Sequence, residues 1–109
     1  VHEGPHGISK GNKTTFNEGV IISNEPGYYK KNEFGIRIEN LITVKKKKSG
    51  FVFKNLTLVP IEKSLIEKKL LNKNEINWIN KYHAKVFNCL KKLMNKSELL
   101  ELRSLCSNI

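Results

Sequence analysis

Two glutamates and an arginine within residues 21–40 carry most of the chemistry that the sequence suggests. Glu25 directly precedes a Pro-Gly pair that should end its strand, and Glu39 follows Arg37 by two residues. Residues at that spacing share one face of a strand, so Arg37 and Glu39 are expected on the same face. A carboxylate in the middle of an apolar strand costs free energy unless an arginine, a metal ion or hydrogen bonds compensate it.

A metal site and a structural arginine–glutamate pair both satisfy that requirement. Carboxylates combined with histidine suit divalent ions such as manganese, zinc or cobalt, and the candidates here are His2, Glu25 and Glu39. Long spacings make this a weak metal signal, because most glutamates are surface residues. Residue types alone therefore favour the structural pair.

The elements that must position these residues are strands in the first part of the chain. Alternating apolar residues predict strands over residues 20–24, 34–45 and 51–61, joined by a loop over 26–33 and a charged turn over 45–50. The short connection between the first two predicts that they pair as antiparallel neighbours.

Helices are predicted in the last part of the chain. A helical apolar stripe follows a capping-box pattern at Asn72 and Glu75 and predicts a helix over residues 73–94. Ser97 is expected to cap a shorter final helix. Strands followed by helices indicate an α+β fold, with a boundary expected between residues 1–62 and 63–109.

Composition limits the class of protein. The formal charge of +10 comes almost entirely from lysines scattered along the chain, which favours a solvated basic surface over a nucleic-acid-binding one. No apolar run reaches the roughly 20 residues that a membrane-spanning helix needs. Cys89 and Cys106 form no metal-binding pattern and are expected to be small buried residues in a reducing, cytoplasmic compartment, although a disulfide between them stays open.

Several motifs together resemble one enzyme family. VHEGPHGIS, NEPGYY and FGIRIEN, in this order and at these distances, resemble the C-terminal half of the catalytic domain of aminopeptidase P, the X-prolyl aminopeptidases. NLTLVPIEK and NWINKYH resemble the extension of its cytosolic members. The resemblance implies the C-terminal part of a pita-bread fold, with antiparallel strands followed by helices. It also implies removal of the N-terminal residue from peptides with proline in second position.

The same resemblance implies roles for five residues. Glu25 would bind one of two divalent metal ions, expected to be manganese with zinc or cobalt as alternatives, and take a proton from the attacking water. Glu39 would bridge both ions, and His2 would contact the substrate and stabilise the tetrahedral intermediate. Arg37 and Tyr29 would contact the ligand side chains and support them without binding the metal ions.

The resemblance also implies what the chain lacks. The family's site contains two further aspartates and a ligand histidine, which are expected upstream of Val1 since the chain has no aspartate at all. The chain by itself is therefore expected to be inactive, and the intact protein to be a homodimer. His6 and His83 are expected to be a loop residue and a packing residue of the long helix. A non-catalytic pita-bread binding protein and a prolidase-like dipeptidase are the alternatives.

Overall fold

The computed structural model describes residues 4–109 and divides the chain into two compact units. The first unit ends at Thr57, and the second is Leu58–Ile109. His2, the expected substrate-contacting residue, lies outside the described residues. The domain boundary predicted between residues 62 and 63 stays a prediction, because compactness alone does not define a functional domain.

The first unit is built from antiparallel strands. In chain order they are β1 (Ile21–Asn24), β2 (Gly27–Lys30), β3 (Phe34–Arg37), β4 (Asn40–Lys47) and β5 (Gly50–Asn55). β1, β4 and β5 form a sheet in the order β1-β4-β5, while β2 and β3 form a two-stranded ribbon. Ile22, Ile42 and Val44 are buried on the sheet. The buried face is therefore confined to β1 and β4, because Phe34 and Ile36 on β3 are exposed.

The sheet and the ribbon belong to one interrupted hairpin. The last pair of β1 with β4 is Asn24 with Asn40, and the first pair of β2 with β3 is Gly27 with Arg37. Both pairings have the same offset, so the register continues across the gap between them. Pro26 lies in that gap and has no backbone N–H to donate, which prevents an unbroken ladder. The predicted antiparallel pairing of the two strands is confirmed.

Because the hairpin is interrupted, the predictions for two elements were wrong. Residues 26–33 contain the strand β2 rather than only a loop, because Tyr28 and Tyr29 pair across the ribbon with Ile36 and Gly35. The strand predicted over residues 34–45 is two strands, β3 and β4, and the chain changes partner between them. The third strand is also shorter than predicted, since it ends at Asn55.

The second unit contains two 3₁₀ turns, Lys63–Leu65 and Lys68–Leu70, and two helices, α1 (Lys73–Leu90) and α2 (Lys96–Leu105). A complete capping box at Asn72 starts α1, as predicted. α1 ends before residue 94, and the cap of α2 is Asn95 rather than Ser97, because the Asn95 side chain accepts the Glu98 N–H. Within residues 4–109, no helix is long and apolar enough to span a membrane.

The core of the second unit lies between its helices and the segment before them. Tyr82, Val86, Leu102 and Cys106 form its buried cluster. His83 is fully buried, and its Nε2 atom accepts the backbone N–H of Ile61 at 3.1 Å, which confirms a packing role. Both cysteines are free thiols, but Cys89 is exposed, so its predicted burial was wrong.

Candidate functional site

A cleft of about 950 Å³ lies in the first unit, between the loop at its start and the ends of β1 and β4. Polar and apolar side chains both contribute to its lining, which consists of residues 4–9, Asn12, residues 21–26, Glu39 and Leu41. Glu25 and Glu39 both belong to this set. The cleft therefore contains both glutamates that the sequence predicts as metal ligands.

Glu25 and Glu39 face each other at the interruption of the hairpin. The offset that pairs Asn24 with Asn40 and Gly27 with Arg37 makes the two glutamates directly opposed. Side chains at opposed positions lie about 4.5–5.5 Å apart at Cβ, and like charges placed there are destabilising. A cation between the two carboxylates is needed to offset this repulsion.

Arg37 supplies a cation at this point. Its Nη1 atom lies 3.6 Å from Glu25 Oε2, and its Nη2 atom lies 3.5 Å from Glu39 Oε2. The planar guanidinium suits such a bridge, because it presents several donors in a fixed fork. The predicted contact between Arg37 and Glu39 is confirmed. The prediction of a strand-interior position for Glu39 was wrong, since this residue lies between β3 and β4.

Tyr29, on strand β2 of the ribbon, lies near the Arg37 guanidinium. The nearby Tyr29 hydroxyl, followed by the charges of Glu39 and Glu25, raises the pKa of Arg37. Tyr29 therefore lies near the arginine, and the supporting role expected of it stays a prediction.

Ser23 is a contact that the sequence reading missed. Its hydroxyl donates to Glu25 Oε1 at 2.6 Å, while Arg37 lies beside the other oxygen of the same carboxylate. The signal was present in the sequence, because residues two apart in extended backbone point to the same side. His6, expected to be a loop residue, lies in the loop that lines the cleft and stacks on Phe16 with ring centroids 5.8 Å apart.

The donor set fits part of a metal site. Opposed carboxylates offer oxygen ligands of the kind that hard and borderline divalent ions prefer. Among residues 4–109, no group of three or more His, Cys, Asp or Glu side chains is arranged to hold a metal ion. The described residues thus present two ligands at most, and further ligands would have to come from elsewhere in the protein.

Both parts of the sequence match known protein families. Residues 1–46 match metallopeptidase family M24, and residues 50–108 match the C-terminal region of peptidase M24. The first match contains the whole of the cleft lining, and the second contains both helices.

Individual relatives are similar over most of the chain. The probable Xaa-Pro aminopeptidase P of Laccaria bicolor is 41% identical over 98% of this chain and 19% of its own length. Aminopeptidase P2 of Arabidopsis thaliana is 41% identical over 89% of this chain and 15% of its own length. The chain thus spans less than a fifth of the length of these curated relatives.

A solved structure is similar over the whole chain. It is the X-prolyl aminopeptidase of Caenorhabditis elegans, described as a cytosolic enzyme with a di-nuclear active site. The TM-score is 0.80 at 40% sequence identity, and the match covers 100% of this chain and 19% of that one. The predicted fold class, the C-terminal part of a pita-bread fold, is confirmed.

Proposed function

The chain belongs to metallopeptidase family M24, and from this premise we propose that the protein containing it is an X-Pro aminopeptidase. It would remove the N-terminal residue from peptides whose second residue is proline. The observation that carries the proposal is the opposition of Glu25 and Glu39 on either side of Arg37. The names of the relatives support the substrate class. The activity belongs to the whole protein, of which this chain would provide part of the site.

Glu25 and Glu39 would be metal ligands with different tasks. Bound divalent ions would activate a water and polarise the scissile carbonyl. Glu39 would bridge the ions, and the ladder that resumes at Asn40 gives its backbone a fixed position. Glu25 would hold one ion and accept the proton of the attacking water on its carboxylate.

Arg37, Tyr29 and His2 would act around these ligands. Arg37 would keep both carboxylates oriented, since its guanidinium reaches each of them, and Tyr29 would hold the guanidinium. Groups behind metal ligands commonly fix ligand orientation in this way. His2 would contact the substrate and donate a hydrogen bond to the oxygen on which charge develops.

We propose two Mn²⁺ ions as the metals, with Zn²⁺ or Co²⁺ as alternatives. Carboxylate-rich sites suit manganese, whereas zinc more often has nitrogen and sulfur ligands. Elemental analysis of the intact protein purified without added metal measures this directly. Two equivalents of manganese per chain is the expected result.

We also propose a cytoplasmic homodimer to which the second unit contributes. Large apolar side chains are exposed on that unit, including Trp78 on α1 at 50% and Leu100 on α2 at 67%. Exposed apolar area of this kind marks interaction surfaces. Sedimentation equilibrium of the intact protein should give twice the chain mass, and cell fractionation should place it in the cytosol, as described for the C. elegans enzyme.

The central experiment replaces each ligand separately in the intact protein. Glu25→Gln and Glu39→Gln should each lower the metal content and nearly abolish cleavage of an X-Pro-X tripeptide. Glu33→Gln is the matched control, because this glutamate makes only an exposed ion pair with Lys30. Wild-type metal content in Glu39→Gln would sink the ligand assignment.

Substrate choice and the histidine need separate measurements. Faster cleavage of an X-Pro dipeptide than of the tripeptide would indicate a prolidase-like enzyme. Absence of both bound metal and cleavage in the wild-type protein would indicate a non-catalytic binding protein of this family. His2→Ala should lower turnover while both metals stay bound, and metal loss would show that its role is misassigned.

A further inference from the structure

Ser23 contacts the one carboxylate oxygen of Glu25 that Arg37 leaves free. The Ser23 hydroxyl lies 2.6 Å from Oε1, and the Arg37 Nη1 atom lies 3.6 Å from Oε2. Oxygen–oxygen distances of about 2.5–2.7 Å are typical of a hydroxyl donating to an ionised carboxylate. Each oxygen of Glu25 therefore has its own partner, and two partners define the plane of the carboxylate.

Glu25 needs such a partner because of its place in the chain. The last ladder pair of β1 is Asn24 with Asn40, so Glu25 stands just beyond the hydrogen-bonded strand. Its side chain is 28% exposed and has three rotatable bonds to fix. Ser23, in contrast, is a half-buried residue within β1, paired with Leu41. The Ser23 hydroxyl thus links the flexible Glu25 side chain to strand β1.

We propose that Ser23 is a positioning residue for Glu25, holding its carboxylate in the orientation in which it binds metal and accepts a proton. The inference rests on the proposed function of Glu25 and extends it to Ser23, which would act through the Glu25 carboxylate. The Ser23 hydroxyl has a single proton to donate, and it is directed to Oε1. Within residues 4–109, loss of that donor leaves Arg37 as the remaining partner of the carboxylate.

The test compares variants of the intact protein that differ in the hydroxyl alone. Ser23→Thr keeps the hydroxyl, and Ser23→Val has nearly the same shape without it; both side chains suit a strand. Ser23→Val and Ser23→Ala should bind Mn²⁺ roughly 10- to 100-fold more weakly in calorimetry of the metal-free protein, the usual effect of removing a partner of a ligand. Ser23→Thr should remain within a few-fold of wild type.

Kinetics and structure provide two further readouts. With saturating Mn²⁺, Ser23→Val should lower kcat while leaving KM close to wild type, because the single proton of the hydroxyl is donated to Glu25. Crystal structures of the metal-free variants should show one Glu25 side-chain conformation in Ser23→Thr and more than one in Ser23→Val. Ser49→Ala, in the exposed turn between β4 and β5, controls for loss of a hydroxyl elsewhere in the unit.

The outcomes separate this inference from the proposed function. The positioning role would be overturned if Ser23→Thr and Ser23→Val both kept wild-type Mn²⁺ affinity and kcat. It would also be overturned if both variants lost affinity and kcat to the same extent. If the wild-type protein neither binds Mn²⁺ nor cleaves peptides, the proposed function fails. The crystal structures of the metal-free variants still test whether Ser23 positions Glu25. An unchanged Glu25 conformation in Ser23→Val would then overturn the role of Ser23.

Discussion

The ring of Tyr29 lies directly over Gly35, its partner across the β2–β3 ribbon, so closely that a β-carbon at residue 35 would stand 2.6 Å from ring atom Cδ1. A β-carbon at Gly27 would stand 2.9 Å from the Tyr29 hydroxyl oxygen. The ring thus runs diagonally across two glycines towards Arg37, which pairs with Gly27. Glycine at both positions leaves the space in which the phenol reaches the guanidinium.

Gly35→Ala should displace the Tyr29 ring and separate it from Arg37. We expect a loss of about 1 kcal/mol, at the low end of the cost of overpacking, because the tyrosine is exposed enough to swing away. Denaturant unfolding of the intact protein measures this loss, and X-Pro cleavage should fall with it.

Two companion variants identify the cause of that loss. Gly11→Ala is the matched control, because a β-carbon there meets nothing within 4 Å. In a Tyr29→Ala background, Gly35→Ala should cost almost nothing, since the two residues are coupled through the ring. An undiminished cost in that background would show that the glycine serves the backbone rather than the tyrosine.

Arg37→Ala should lower X-Pro cleavage by the intact protein roughly 10- to 100-fold, as removal of a group supporting metal ligands commonly does. The physical reason is that opposed Glu25 and Glu39 then lose the cation that reaches both. Arg37→Lys should restore only part of the rate, because an ammonium is a point charge rather than a fork. Lys30→Ala breaks an exposed ion pair and should leave the rate near wild type. Full activity in Arg37→Ala would contradict the proposal that this arginine orients Glu25 and Glu39.

Asn72→Ala should destabilise the second unit by about 1 kcal/mol, the usual cost of losing a helix N-cap. The Asn72 side chain accepts the N–H groups of Asn74 and Glu75, which alanine leaves without an acceptor. Thermal unfolding of the intact protein measures the effect. Asn74→Ala is the control, because only its backbone takes part in the cap. Equal destabilisation by both substitutions would exclude the cap as the cause.

Acid should destabilise the second unit through His83. Burial lowers the pKa of His83, and the Lys63 ammonium nearby adds to that effect. The unfolded chain has the ordinary histidine pKa of about 6.5 and so binds more protons than the folded chain just below it. The contribution of the neutral imidazole is therefore complete above about pH 6.5 and is lost as the pH falls towards the folded-state pKa.

His83→Gln isolates this contribution, because an amide oxygen can still accept the Ile61 N–H and does not titrate. The stability difference between wild type and His83→Gln, followed by urea unfolding from pH 7.5 to about pH 5, should shrink or reverse on the acid side. A difference that is constant over this range would show that His83 titrates equally in the folded and unfolded states.

The sequence by itself determined the residue types at the site, the antiparallel strands before the helices, and the cap of α1, because these depend on local patterns of two to four residues. The motifs around Glu25, Arg37 and Glu39 also determined the family, which the comparisons confirmed.

Only the tertiary structure decided how these residues meet. Strand periodicity predicted an unbroken run through Glu39, whereas Pro26, in the gap between β1 and β2, interrupts the ladder there. Pairing between strands is a non-local property, so neither strand's own pattern contains the position of the gap. The same pairing opposed Glu25 to Glu39 and laid Tyr29 over Gly35, because contacts across a ladder depend on register and on the space that a partner's side chain leaves.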